Sequence, residues 1–154
     1  MRHQPCGRED QADFVLQHHP EEIAQQIALI DHTIFCNIEM DELLMKRFSQ
    51  SNKQEIAPHV VHLTQRFNAT AGWVSATVVG CISLERRVAV LNRMIAIAFY
   101  SYHIGNHFAG IAMTAALDST PLKRLTRTWD VCYSRLYILE HLIDDCYREW
   151  MTRK

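Results

Sequence analysis

Nine histidines and five cysteines carry the widest chemistry available to this chain: metal coordination, nucleophilic attack and thiol redox. His59 and His62 stand three apart, and His103 and His107 four apart. On a helix each pair would share a face, the spacing of a two-histidine metal clamp. Gly105 and Asn106 interrupt the second pair, no HExxH is present, and no cysteine or carboxylate sits at convincing ligand spacing beside either pair. The histidines therefore read as surface or junction residues, with no metal and no cofactor expected. The cysteines (Cys6, Cys36, Cys81, Cys132 and Cys146) are odd in number and never form CxxC. That pattern fits free thiols in a reducing compartment rather than a disulfide scaffold. A Cys–His nucleophile pair stays open, but the spacing singles none out.

The other chemical signal is basic. In "LDSTPLKRLTRTW", residues 117–129, three cations fall within five residues beside hydroxyls and an aromatic. A phosphate-binding patch would look like this, but so would a capped amphipathic helix. Asp118, Ser119 and Thr120 are cap-type residues, and Pro121 follows them near the favoured first helical position. Leu122, Leu125 and Trp129 share one face, with Lys123, Arg124 and Arg127 largely off it. A net charge of -1 gives no field to attract a polyanion. Nucleic acid is not an expected partner.

Helical elements must position these residues. Pro20, Glu21 and Glu22 read as a helix start, and Ile23, Ile27, Ile30 and Ile34 give it one apolar face. A short helix is predicted from about Met40 to Phe48, then a polar loop, "SQSNKQE". From Pro58 runs the longest periodic segment, with Val60, Thr64, Phe67, Ala71, Val74, Val78 and Cys81 at steps of four and three. After Ser83, Val88, Leu91, Ile95, Ala98 and Tyr102 repeat the pattern, and Gly105 and Asn106 end it. A small-residue helix from about His107 to Leu117 leads into the basic stretch. Glycines within the run from Val60 to Cys81 favour a packed core over a coiled coil, and Trp73 and Trp129 read as core anchors. No strand-like alternation appears. One all-α domain over 13–154 is expected, behind a loose polar segment over 1–12. No uninterrupted apolar run approaches eighteen residues, so direct membrane insertion is not expected.

In helix order these segments resemble the catalytic domain of Ras-family guanine-nucleotide exchange factors. "HPEEIAQQIALID" (19–31) is similar to the family's opening helix, and "DELLMKRFSQSNKQEIAPHV" (41–60) to its next helix and loop. "RFNATAGWV" (66–74), "SLERRVAVLNRMI" (83–95) and "LDSTPLKRLTRTW" follow in family order. The likeness runs from about Phe14 to Leu142. It implies an orthogonal multi-helix bundle truncated before the family's catalytic hairpin. It also implies non-covalent catalysis: the factor binds a Ras-family small GTPase, holds switch II, displaces switch I and magnesium, and promotes GDP release.

By resemblance the partner-binding residues are Phe48, Ser49 and Lys53 in the loop region, Thr64, Gln65 and Asn68 on the long helix, and Asn106 at the helix junction. Gln65 stands where many members carry an arginine. Gly105 and His107 replace the first Asn and the Phe of the family's "NNFN", and Ala98 stands where a larger apolar residue is common. The alternative of another class is a helical module that grips a GTPase without expelling nucleotide. The expected location is cytoplasmic, with recruitment to the inner membrane surface through the GTPase. Leu136, Leu139, Ile143, Cys146 and Trp150 form a C-terminal apolar stripe, for which self-association is expected.

Overall fold

A computed structural model describes residues 8–132, and every regular element among them is helical. In chain order these are α1 (Arg8–Gln17), α2 (Pro20–Cys36), α3 (Met40–Leu43), a 3-10 segment (Leu44–Ser49) and α4 (Lys53–Ile56). There follow α5 (Pro58–Val79), α6 (Leu84–His103), α7 (His107–Leu117), α8 (Thr120–Lys123) and α9 (Thr126–Val131). The all-α expectation is met. α1 begins inside the stretch expected to be loose, and buries Ala12 and Val15. The predicted stripe from Leu136 to Trp150 lies outside the described residues.

Local signals account for most helix starts. Pro20 opens α2 with Glu21 and Glu22 in its first turn, where the helix dipole favours negative charge. Ser83 Oγ accepts the Arg86 N–H at 3.2 Å and caps α6. At the start of α8, Ser119 holds the cap position without a side-chain cap bond, and its Oγ is buried without a partner among the described residues. The basic stretch divides into α8 and α9. Leu122 and Trp129 are buried and joined by a 2.8 Å bond from Trp129 Nε1–H to the Leu122 carbonyl. Lys123, Arg124 and Arg127 face solvent.

α6 is the centre of the core, touching α1, α2, α5, α7 and α9. Val90, Leu91, Met94, Ile95, Ile97 and Ala98 are all buried and form one broad face of the helix. Each such large side chain contributes about 1.5–3 kcal/mol on leaving water. α7 approaches α6 closely because it is built from small residues. A Cβ on Gly110 would sit 2.7 Å from the Tyr102 ring. Polar links fasten α1: Arg86 pairs with Asp13, and Arg93 Nη2 donates to the Leu16 carbonyl at 3.0 Å.

Two departures from the periodicity matter for function. In α2 the buried face carries Ile23, Ile27 and Ile34, but Asp31 takes the place expected for Ile30. Both positions fit a three-four pattern, and the choice falls to Asp31 because Arg66 and Asn106 satisfy its carboxylate. Ile30 is 49% exposed and lines a groove of about 760 Å³ between α1, α2 and α5. The second departure is the helix expected from Met40 to Phe48. It ends at Leu43, and the chain turns through left-handed backbone at Met45 (φ 54°) and Lys46 (φ 52°).

Candidate functional site

The α6–α7 junction is shaped by Gly105, whose φ is 84°. The Gly105 N–H donates to the Tyr102 carbonyl at 3.0 Å and the Asn106 N–H to the Ser101 carbonyl at 2.8 Å. This pair of bonds closes a helix with a left-handed residue, a conformation that Gly adopts freely and Asn tolerates. Gly in place of the family motif's first Asn therefore keeps the backbone path. The turn delivers Asn106 to the start of α7, where its Oδ1 accepts the Ala109 N–H at 3.1 Å.

Asn106 is committed at its other end as well. Its Nδ2 donates to Asp31 Oδ2 at 2.9 Å, while Arg66 Nε donates to Asp31 Oδ1 at 3.0 Å. Asp31 is buried, at 5% exposure. One carboxylate thus joins α2, α5 and α7, and a buried charge is tolerable here because a cation and an amide both meet it. Asp31 and Asn106 also line a groove of about 940 Å³ between α2, α5 and the α6–α7 junction. Leu29, Phe35, Leu63, Ile104 and Phe108 give it apolar walls, and Asp31 and Asn106 are among its polar lining residues. Leu29 and Phe35 are 61% and 66% exposed, a large apolar surface left in water.

Thr64, Gln65 and Asn68 all face solvent on α5. Thr64 and Asn68, four apart, share one outward face, with Gln65 beside it. Thr64 Oγ1 donates back to the Val60 carbonyl at 2.9 Å. Phe48, Ser49 and Lys53 lie in the segment before α5. Phe48 is 40% exposed, Lys53 is exposed, and Ser49 Oγ donates to the Lys46 carbonyl at 2.8 Å. Met40, Leu43, Leu44 and Met45 are at least half exposed, so Phe48 is one of several exposed apolar side chains in this part of the chain. The 3-10 segment and α4 both touch α5, which places the two groups on neighbouring elements. Of the seven residues expected to meet a partner, Asn106 lines the groove. The groove's apolar walls are not predicted by periodicity. Their signal is apolar side chains off the core stripe, as Leu29 and Phe35 are in α2.

The histidines have partners of other kinds. His59 Nδ1 lies 2.5 Å from Glu42 Oε1, and the His103 ring stacks on Phe99. His107 packs against Tyr102, with its Nδ1 buried and unbonded among the described residues. Among the described residues no group of three His, Cys, Asp or Glu is arranged to hold a metal ion.

Glu42 is the one buried residue of α3. Its Oε2 accepts the N–H groups of His59 at 2.9 Å and Val60 at 3.0 Å, in the first turn of α5. Burial pushes the carboxyl's pKa up. The bonds from the Val60 N–H, the His59 ring and the backbone N–H groups of Glu39 and His59 more than offset that, and hold it below the ordinary glutamate value.

Comparison with known proteins places this geometry. Residues 22–151 match the RasGEF domain family. The chain is 36% identical over 115 residues to mouse (Mus musculus) Ras-specific guanine nucleotide-releasing factor RalGPS1, covering 75% of this chain and 20% of that protein. It is 37% identical over 115 residues to human (Homo sapiens) RalGPS2, with the same coverage. Ras guanine nucleotide exchange factor N of Dictyostelium discoideum is 30% identical over 110 residues, covering 71% of this chain and 9% of that protein. The chain therefore spans about a fifth or less of the length of these relatives. With the family model matched over most of its length, the chain belongs to the RasGEF domain family.

Proposed function

We propose that this chain binds a Ras-family small GTPase and promotes release of its bound GDP. The observation that carries the reading is the pairing of two surfaces exposed among the described residues. One is the groove walled by Leu29, Phe35, Leu63, Ile104 and Phe108; the other is the outward face of α5 with the Phe48 segment beside it. A groove with apolar walls suits a segment that inserts large side chains. The names of the relatives support a GTPase as the source of that segment. No covalent step is involved. Exchange follows if the chain binds the nucleotide-free GTPase more tightly than the loaded form, because binding then draws the GTPase toward the empty state. Action at the inner membrane surface, where the GTPase would recruit the chain, belongs to the same reading.

The test is a pull-down against a panel of nucleotide-free Ras-family GTPases, together with fluorescent-nucleotide release. Retention of one member with accelerated release is the expected result. Retention without acceleration would make the chain a gripping module instead. No retention across the panel would overturn the reading.

A further inference from the structure

The segment between α3 and α5 carries three of the proposed contacts, yet nothing inside it is anchored in the core. From Leu44 to Ile56 every side chain is exposed or only partly covered, and neither the 3-10 segment nor α4 contains a buried residue. Met45 and Lys46 sit in the left-handed region, which non-glycine residues occupy only when their surroundings hold them there. Apolar burial does not provide that hold. The segment is fixed at its neck, where Ala57 is fully buried on one side and Glu42 on the other.

Glu42 does more than fill space. Its two oxygens take two first-turn N–H groups of α5 and the His59 ring, so a residue 17 positions before His59 in the chain caps that helix. The first-turn donors of a helix have no intrahelical acceptors, and a carboxylate there satisfies them and meets the positive end of the dipole. The Asp41–Arg47 pair, at 2.8 Å, adds an exposed tie on the same side of the turn. Exposed pairs of this kind contribute little, which leaves Glu42 as the main fixture.

We infer that Glu42 is a positioning residue for partner contact: by clamping α3 onto the start of α5 it closes the loop and sets where Phe48, Ser49 and Lys53 stand. The inference rests on the proposed GTPase-binding reading. Glu42 itself touches no partner; it acts through the loop.

The experiment pairs hydrogen exchange of the loop with affinity for the nucleotide-free GTPase retained in the panel. Glu42→Ala is expected to speed exchange of residues 44–56 and weaken binding, each by roughly tenfold or more, with exchange in α6 unchanged within about twofold. Glu42→Gln keeps the shape and one acceptor oxygen, so it should fall between wild type and alanine, and it supplies the readout if Glu42→Ala does not fold. A double-mutant cycle with Phe48→Ala separates positioning from general stability. If Glu42 works by placing Phe48, adding Phe48→Ala to Glu42→Ala should cost about twofold or less beyond the weaker single variant. Additive losses would overturn the inference, as would loop exchange or affinity within about twofold of wild type in Glu42→Ala. A wild-type chain that retains no GTPase would overturn the proposed function itself, an outcome distinct from failure of the clamp.

Discussion

Between Val90 and Ala98, α6 buries six side chains at 2% exposure or less, whereas from Leu44 to Ile56 the chain buries none. The first region is held by many interchangeable apolar contacts and the second mainly at its neck, by buried Ala57 and the Glu42 carboxylate. Apolar packing spreads the cost of any single change over its neighbours. A single polar clamp concentrates it. The loop proposed to meet a partner has little packing of its own, as expected where local order has to be adjustable.

The comparison breaks most visibly at Leu91, which is 1% exposed in the middle of α6. Leu91→Ala should cost about 3 kcal/mol, from lost transfer energy and the cavity left behind. For a domain of this size that lowers Tm by about 10 °C. A drop of under about 3 °C in thermal denaturation would show that α6 is not the centre of the core. Asp31→Ala should come next, at about 2 kcal/mol, because it leaves Arg66 and Asn106 without their shared acceptor. The Arg66 side chain is 26% exposed and can turn to water, which limits the loss. Unlike Leu91→Ala, this change should loosen the groove, so faster exchange at the start of α7 would accompany the fall in Tm. Uniform destabilisation without that local signature would count against the three-helix network.

The clamp sharpens the contrast through pH. The folded pKa of Glu42 lies below its ordinary value, so its contribution is fully present above the unfolded carboxylate range, about 4.3, and is lost as pH falls through the lower folded value. His59 is the titratable side chain bonded to it, and Asp41 and Arg47 pair with each other nearby. Loop exchange, corrected for its intrinsic pH dependence, should therefore rise on acidification below that range. In Glu42→Gln it should already be raised at neutral pH and change little over the same window. A wild-type loop indifferent to acid would remove Glu42's charge from its role.

Periodicity and cap residues made the helix order readable, because both act within a turn or two of the chain. Pro20, Ser83 and the Gly105–Asn106 break all mark ends that the structure keeps. Asp31 inside α2 was not legible, since its partners Arg66 and Asn106 come from 35 and 75 residues away. Glu42 was hidden for the same reason: on α3 alone it reads as one more first-turn acid. The break at Met45 has no Gly or Pro to announce it. The candidate residues of the loop, the α5 face and the junction came from family likeness, not from periodicity. The groove walls depend on which apolar residues the three-dimensional packing leaves uncovered.

The smallest expected effect on stability is the most informative about function. Phe48 is large and aromatic, the residue type that anchors cores and interfaces alike. At 40% exposure, within a segment that buries nothing, it has little core to lose. Phe48→Ala should cost about 1 kcal/mol or less and move Tm by about 3 °C at most. Affinity for the GTPase should still fall by roughly tenfold, because an aromatic hot spot contributes its full burial only in the complex. Circular dichroism melting and a binding titration on the same preparation read both quantities. A melting shift close to that of Leu91→Ala would assign Phe48 to the core, and the proposed partner surface would shrink to α5 and the groove. An unchanged melt with unchanged affinity would leave Phe48 with neither role, and with it the reason for a clamp that holds the loop in place.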